Sequence, residues 1–593
     1  MNKSIAIQQN KLFTSYGGVG SMIDTIDDLS LIIEPFDQWN KLYNSVCIGR
    51  ELHYKRLQLN EARLCSRIRD LGFSNLQGFF RADTSFDEES SFKAYCPNNT
   101  FTERMVKTKY FPRWFYCPRC HRFMPYEGWR ELWNNDKDFE SHVPACRNCH
   151  NPTIIRRPKL MQTRFVMASM ESGEIRDIPW DLVFHKGDSD SDNAPVWVFN
   201  QNSEQSEEVY FYISDASTNL SRIYVKNQSG QRVLLSTIFR HYIVMDENGR
   251  KTVYKPLVRS ENNIYYNYNL SSIYIPLPVL DNQIINQICQ FSNKGRTVED
   301  IRKYLEMDDI NLTIDQIQAI IDDTADINHR YESESQFREE EFDFITGGAN
   351  YDKKTRSYSD PEGKLKSYIY SFNNGNKPSF IKNVYYQTAL NVTTVQIAYS
   401  RIDKISLDNL NNWKGRNDPA KIWYNPKTDS ITEVDVALKP ICQRDMTNIQ
   451  RMPAMSATGE GMMFELNLEH IPNNERHIFM HTFCHLLMKE LEFVCGYPIA
   501  SMNERLYAFE GKYGFLIYAV GGSSGSYGGL SSLFISKDIE KIISNCLERS
   551  KDCSNDPICS SEGGACFACV QIPETSCEMF NNGISRNILN KYI

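Results

Sequence analysis

A chain of 593 residues has room for about three to five domains, and its 41% hydrophobic content supplies several cores. The formal net charge of −8 and the pI near 5.9 exclude a uniformly basic nucleic-acid coat, so any DNA contact has to come from local patches. No run reaches the ~18 apolar residues of a membrane helix, and the first 25 residues carry no continuous apolar segment, so the expectation is a cytoplasmic chain with no signal peptide and no membrane contact.

Residues 1–100 form an N-terminal region. Its glycine stretch Tyr16-Gly17-Gly18-Val19-Gly20-Ser21-Met22 lacks the third glycine of a dinucleotide fingerprint and reads as a tight turn. Residues 50–69 show helical apolar spacing with six basic residues, Arg50, Lys55, Arg56, Arg63, Arg67 and Arg69. Such a face is normally solvated, and phosphate contact is the alternative.

Residues 101–165 carry Cys117-Pro-Arg-Cys120 and Cys146-Arg-Asn-Cys149. Two tandem C-x-x-C pairs are a zinc-ribbon signature, because a two-residue turn sets both sulfurs on one tetrahedral ion. His121, His142 and His150 are alternative ligands. Between Glu103 and Arg164 there are 13 Lys/Arg against six Asp/Glu, interleaved with nine aromatic residues between Tyr110 and Trp133. Cations for phosphates and rings for bases would suit a nucleic-acid surface, with Arg113, Arg119, Arg122, Arg156, Arg157 and Lys159 as contacts. The competing reading makes the rings a small core and the charges its rim.

Residues 166–280 read as β-rich, from runs such as Val209–Ile213, Arg222–Val225 and Ile273–Pro276. Residues 281–345 read as an acidic three-helix unit, with 15 acidic residues against four basic between Glu299 and Asp343. Thr297–Asp300 and Thr313–Gln316 are candidate capping boxes. That charge is wrong for a DNA-binding winged helix and suits a protein contact. Glu332–Glu341 reads as a charged linker. Residues 346–460 are a mixed α/β region.

Residues 461–593 hold the most informative pattern. His477, His481 and His485 repeat every four residues with Cys484 beside the last, so on a helix they form one stripe. They read as packed core histidines, or as a polar or metal cluster with Glu504 and Arg505. A strand over Phe515–Val520, a glycine loop Gly521–Gly529 and a helix over residues 537–549 have a phosphate-cradling order. No G-K-[ST] closes the loop and no Walker motif occurs, so the chain is no motor by itself. Finally Cys553, Cys559, Cys566, Cys569 and Cys577 fall within 25 residues. Four suffice for a closed structural zinc site, leaving one spare. Nine of the 17 cysteines thus lie in two knots, which favours metal in a reducing compartment over disulfides.

These motifs, in this order, resemble the DrmB family of the DISARM anti-phage system. The resemblance rests on Ser15–Asp24 with Trp39, Phe111–Cys120 with Cys146 and Cys149, Arg164–Ala168 and Gly173–Trp180. It continues through His481–His485, Gly496-Tyr497, Glu504–Tyr507, Leu516–Tyr518, Tyr527–Leu530 and the cysteine group ending in Pro573–Glu578. The last part is similar to a cysteine-rich domain that follows certain superfamily-2 helicases. Departures are Phe567 where the family suggests histidine, Ser526-Tyr527 where it has Thr-Leu, Ile584-Ser585-Arg586 for a Leu-Asp-Arg-like element, and an unmatched residue range 281–345. The resemblance implies a non-motor subunit that joins a DrmA-like helicase, engages DNA and helps restrict incoming phage DNA.

The expectation is therefore a multi-domain α+β protein with two structural zinc ions, a helicase partner and DNA. Rival readings are a metal-dependent nuclease or hydrolase built on His481, His485 and Glu504, and a zinc-ribbon adaptor that binds protein alone.

Overall fold

The computed structural model describes residues 17–24, 28–39, 48, 58–59, 61–69, 71–81, 93–95, 105–133, 144–149, 158–169, 173–184, 196–200, 208–213, 220–240, 242–247, 250–261, 264–274, 282–307, 314, 317–318, 321, 334–347, 351–352, 357–359, 366–373, 375–402, 423–425, 430–432, 439–509, 511–520 and 529–593. Arg50, Lys55, Arg56, His142, His150, Arg156, Arg157, the Thr313 cap and the glycine loop 521–528 lie outside them. The class is α+β, and the chain divides into two compact units, each assembled from separated segments. Among the described residues no helix is long and apolar enough to cross a membrane.

The first unit takes residues 1–60, 71–271 and 394–455. One of its sheets has six strands, β1 (Trp114–Tyr116), β2 (Arg122–Pro125), β3 (Met161–Gln162), β4 (Val209–Ile213), β5 (Ile223–Asn227) and β6 (Arg232–Leu234), in the order β6-β5-β4-β2-β1-β3. Strand β4 alternates buried and half-buried side chains, as one covered face requires. Trp114, Tyr116, Phe123, Trp180, Phe211 and Val225 form the core against it. All nine aromatic residues from Tyr110 to Trp133 are buried. Of the two readings of this stretch, burial supports the rings as a core.

The N-terminal glycines make a buried turn. Gly18 and Gly20 have φ of +133° and +83°, which disfavours a side chain. Arg401 Nη2 donates to the Gly20 carbonyl at 2.5 Å, and the Val19 N–H donates to Gln396 Oε1 at 2.7 Å. The turn belongs to the core and offers no seat to a dinucleotide.

The second unit takes residues 61–70, 272–393 and 456–593. Its sheet orders β7 (Ile381–Ser400), β8 (Arg451–Leu466), β10 (Lys512–Val520) and β9 (Met502–Phe509) side by side, counting the shares of β7 and β8 that fall in this unit. Helices α1 (Asn282–Asn293) and α2 (Val298–Met307) close a small core of Ile288, Ile301, Leu305 and Ile317. The Asp300 N–H donates to Thr297 Oγ1 at 3.2 Å, the cap expected there.

The stretch read as a charged linker is instead helix α3 (Glu334–Gly347). Phe337, Phe342 and Ile345 are buried, and so is Glu341. Arg505 holds the Glu341 carboxylate through Nε at 2.5 Å and Nη2 at 2.9 Å, while Arg338 holds Glu578 at 2.6 and 3.0 Å. These partners lie more than 160 residues away, so local composition could not announce them.

Helix α4 (Asn473–Cys495) is the axis of this unit. It buries twelve residues, among them Phe479, Phe483, Leu487 and Leu491, and packs into the core with no wet stripe. Gly496 ends it in the left-handed region at φ 69°. Helices α5 (Gly529–Ser536) and α6 (Ile539–Arg549) pack beside it through Leu530, Leu533, Ile542 and Ile543.

Candidate metal centres

Among the described residues three groups of four side chains bring ligand atoms within 4.8 Å of one another. The first lies in the first unit. Cys117 and Cys120 stand on the turn of the β1–β2 hairpin, closed by the Cys117 N–H on the Arg122 carbonyl at 3.0 Å. Cys146 and Cys149 stand on a second turn, where the Cys146 N–H reaches the Pro158 carbonyl at 3.1 Å. The sulfurs of Cys117 and Cys149, and of Cys120 and Cys146, are each 3.8 Å apart. Four thiolates about 2.3 Å from a zinc ion have edges of about 3.8 Å, so the donors fit. Burial works against ionising Cys117, but the N–H groups of Cys120 and Arg119 outweigh it and lower its pKa. His121 stacks on Tyr212 at 4.3 Å and takes no part in the group.

Several cations surround this knuckle. Arg113 is bound by Asp177 (Nε to Oδ2, 3.0 Å) and Arg122 by Glu208 (2.8 Å). Arg119, Lys159 and Arg164 are exposed.

The second group is in the second unit, after α6. Cys553, Cys559, Cys566 and Cys569 have sulfur separations of 3.5 Å (553–566), 3.6 Å (559–569) and 3.6 Å (566–569). These also suit a closed tetrahedral zinc site. Burial is the largest single influence on the Cys566 thiol and raises it, but the Cys569 N–H and the neighbouring thiols together bring it down to about 6. Arg586, almost fully buried, pairs with Asp556 and donates to the Lys551 carbonyl at 3.0 Å, so it fastens the turn that carries Cys553. Sequence reasoning assigned Arg586 no role. Beside this knuckle lies a cleft of about 690 Å³ lined by Leu486, Phe493, Ile499, Phe567 and Pro573, in which Phe493 and Phe567 are each 70% exposed.

The fifth cysteine is placed elsewhere. Cys577 joins His481, His485 and Glu504, and all four are buried. Glu504 comes from β9, the histidines from one face of α4, one turn apart. Glu504 Oε1 is 3.0 Å from His481 Nε2, and Glu504 Oε2 is 3.2 Å from His485 Nε2. Cys577 Sγ is 3.3 Å from His481 Nε2. Burial opposes the Glu504 charge, but protonated neighbouring imidazoles, His481 foremost, outweigh it and hold its pKa below the ordinary carboxylate range. Burial lowers the His485 pKa and favours its neutral ring. Arg505 does not belong to this group. It neighbours Glu504 in sequence, but successive strand residues face opposite ways, and its partner is Glu341. With His481 and His485 at 0% exposure and Glu504 at 1%, a phosphodiester has no approach to these atoms without the fold opening.

The helix after the glycine loop also has its anion. The N–H groups of Leu530 and Ser531, at the start of α5, donate to the Glu460 carboxylate at 3.2 and 3.1 Å. Tyr386 and Tyr497 add hydroxyl donors at 2.9 and 2.7 Å. The seat where a phosphate would sit on a helix N-terminus is filled from within.

Comparison with known proteins gives three findings. Residues 8–266 match the model of a family described as a domain of unknown function, DUF8724. A stretch of 129 residues is 38% identical to the DISARM protein DrmB of Bacillus paralicheniformis, covering 20% of this chain and 23% of that one. The match thus spans about a quarter of the curated relative, and part of the chain is DrmB-like. The crystal structure of the DUF1998 helicase MrfA bound to DNA is similar at 12% identity and TM-score 0.20, over 37% of this chain and 23% of that one.

Proposed function

We propose that the chain is a non-motor subunit of a DISARM-type system, which joins a superfamily-2 helicase (DrmA-like), binds DNA with it and helps restrict incoming phage DNA in the cytoplasm. The observation that carries this reading is the 38% identity to a DrmB protein. The two four-cysteine groups support it as rigid, zinc-held platforms, because a closed site leaves no position for chemistry. The exposed Arg119, Lys159 and Arg164 around the first platform provide phosphate contacts. The exposed Phe493 and Phe567 beside the second provide an apolar surface for the partner. In this reading the chain has no reaction of its own, since the buried histidine cluster lacks substrate access and α5 already holds Glu460.

The test is affinity purification of the tagged chain from its native host, with and without nuclease. A helicase that stays bound after nuclease treatment is the expected result. Recovery of the chain alone would overturn the proposal. A complex that forms but binds DNA no better than the helicase by itself would reduce the chain to a protein adaptor.

A further inference from the structure

The cluster of His481, His485, Glu504 and Cys577 cannot satisfy its own polar atoms. His485 Nδ1 lies 3.1 Å from the Val570 carbonyl, which only accepts, so Nδ1 carries a proton, and in the neutral ring Nε2 presents a lone pair. That lone pair faces Glu504 Oε2 at 3.2 Å, and a carboxylate oxygen also only accepts. Neither atom has a hydrogen-bond partner, and His481 Nδ1 has none either. Buried polar atoms are rarely left so, and each costs about 1–3 kcal/mol. Two converging lone pairs in a dry interior call for a cation between them.

The geometry points to a third metal ion, a divalent transition metal and by donor set zinc, held by His481, His485, Glu504 and Cys577. Two imidazoles, one carboxylate and one thiolate complete a tetrahedron of borderline-soft donors. With Glu504 Oε2 as the carboxylate donor, its 3.2 Å separation from His485 Nε2 is close to the roughly 3.3 Å edge expected for ligands about 2.0–2.1 Å from the ion, the 3.3 Å between Cys577 Sγ and His481 Nε2 is a little under the roughly 3.6 Å edge that a thiolate about 2.3 Å away sets, and one donor atom from each of the four residues lies within 4.8 Å of the others. Charge balances as well. A dication, a carboxylate and a thiolate sum to zero, as a site with almost no exposure requires, and the Cys577 thiol proton leaves to solvent on binding.

The surroundings are built for ligands. The Val570 carbonyl fixes the His485 ring, the Glu578 N–H holds Glu504 Oε1 at 3.0 Å, and the Asn581 N–H points at Cys577 Sγ at 3.2 Å. All four donors are used and buried, so the ion is structural. It fastens α4 and β9 to the final segment that carries Cys577, within the second unit alone and independently of any partner.

The test uses the untagged full-length chain, purified without chelator. Elemental analysis should find three zinc ions per chain. Zinc-edge X-ray absorption should then show nine of the twelve ligand atoms as sulfur and three as nitrogen or oxygen, as the three groups dictate. Two ions per chain with an all-sulfur shell would overturn the proposal and leave a protonated histidine–carboxylate pair in its place. Cys577→Ala and His485→Gln should each lose one ion and the nitrogen and oxygen signal while keeping the all-sulfur shell. A variant that keeps three ions also overturns it, and if a variant aggregates, the wild-type spectrum alone decides.

Discussion

Arg505→Met removes one arm of the buried pair with Glu341, and its cost can be worked from the structure. Both side chains are within 2% of full burial, and two hydrogen bonds of 2.5 and 2.9 Å join them. At a charge separation of about 4 Å and an effective dielectric near 20 the attraction is about 4 kcal/mol. Methionine fills most of the volume, so little cavity is added. What remains is a carboxylate with the Ile273 N–H at 3.2 Å, the Tyr507 hydroxyl at 3.5 Å and Arg63 Nη1 at 3.6 Å. Breaking one side of a buried pair typically costs about 3–5 kcal/mol, and the remaining contacts favour the lower end, near ~3 kcal/mol. Urea titration of wild type, Arg505→Met, Glu341→Leu and the double variant should show each single variant destabilised and the double variant recovering most of the loss. A cost below about 1 kcal/mol for Arg505→Met, or strict additivity in the cycle, would refute the assignment of a desolvated, coupled pair.

Four further outcomes are expected. Replacing Cys566 and Cys569 with serine should release one zinc per chain and unfold the segment after α6, and unchanged metal content would exclude these ligands. Gly20→Ala should destabilise by about 1–3 kcal/mol, since its φ of +83° is left-handed and a Cβ would collide with the Tyr399 ring, as thermal melts can show. Glu61 has its pKa raised from 4.5 to about 7, by burial first, against the nearby Arg63 and the Ser272 hydroxyl bond. A carboxyl with a raised folded pKa holds its proton longer when folded, so its contribution is complete below pH 4.5 and is lost as pH rises toward 7. Glu61→Gln should flatten that fall and stabilise the fold at pH 8, and an unchanged pH profile would count against it. In a complex with its helicase, Arg119→Ser with Lys159→Ser should lower the salt slope of DNA affinity by roughly one per lost phosphate contact, and an unchanged slope removes the first knuckle from the interface.

What was legible in the sequence followed from chemistry confined to short spacings. Cys117–Cys120 and Cys566–Cys569 each fit one ion within a single turn, so their pairing can be read without a fold. The strand over Val209–Ile213 and the cap at Thr297 are local in the same sense. The misreadings share one cause, which is partners far away in the chain. Glu341 looked solvated because nothing near it in sequence neutralises it, yet Arg505 does so from 164 positions away. Tyr110 to Trp133 allowed both a stacking surface and a core, because composition does not say which way a ring points. Glu504 and Arg505 were grouped as neighbours because the strand that separates them was not anticipated. Glu460 gave a faint signal, a lone charge between Gly459 and Gly461 in an apolar run, and only the fold shows that it caps α5.

The alternation of Glu504 and Arg505 on β9 gives that strand a charge code for its own alignment. Strand β9 pairs with β10 over Met502–Phe509, where apolar residues such as Leu506 and Ala508 could tolerate a shift. A slip of one residue would turn Arg505 toward His481 and His485 and turn Glu504 toward Glu341. Cation would then meet the histidine pocket, and anion would meet anion in a dry core. Two adjacent letters of opposite sign thus act as a key with a right and a wrong way round, and the sheet can close in one register only.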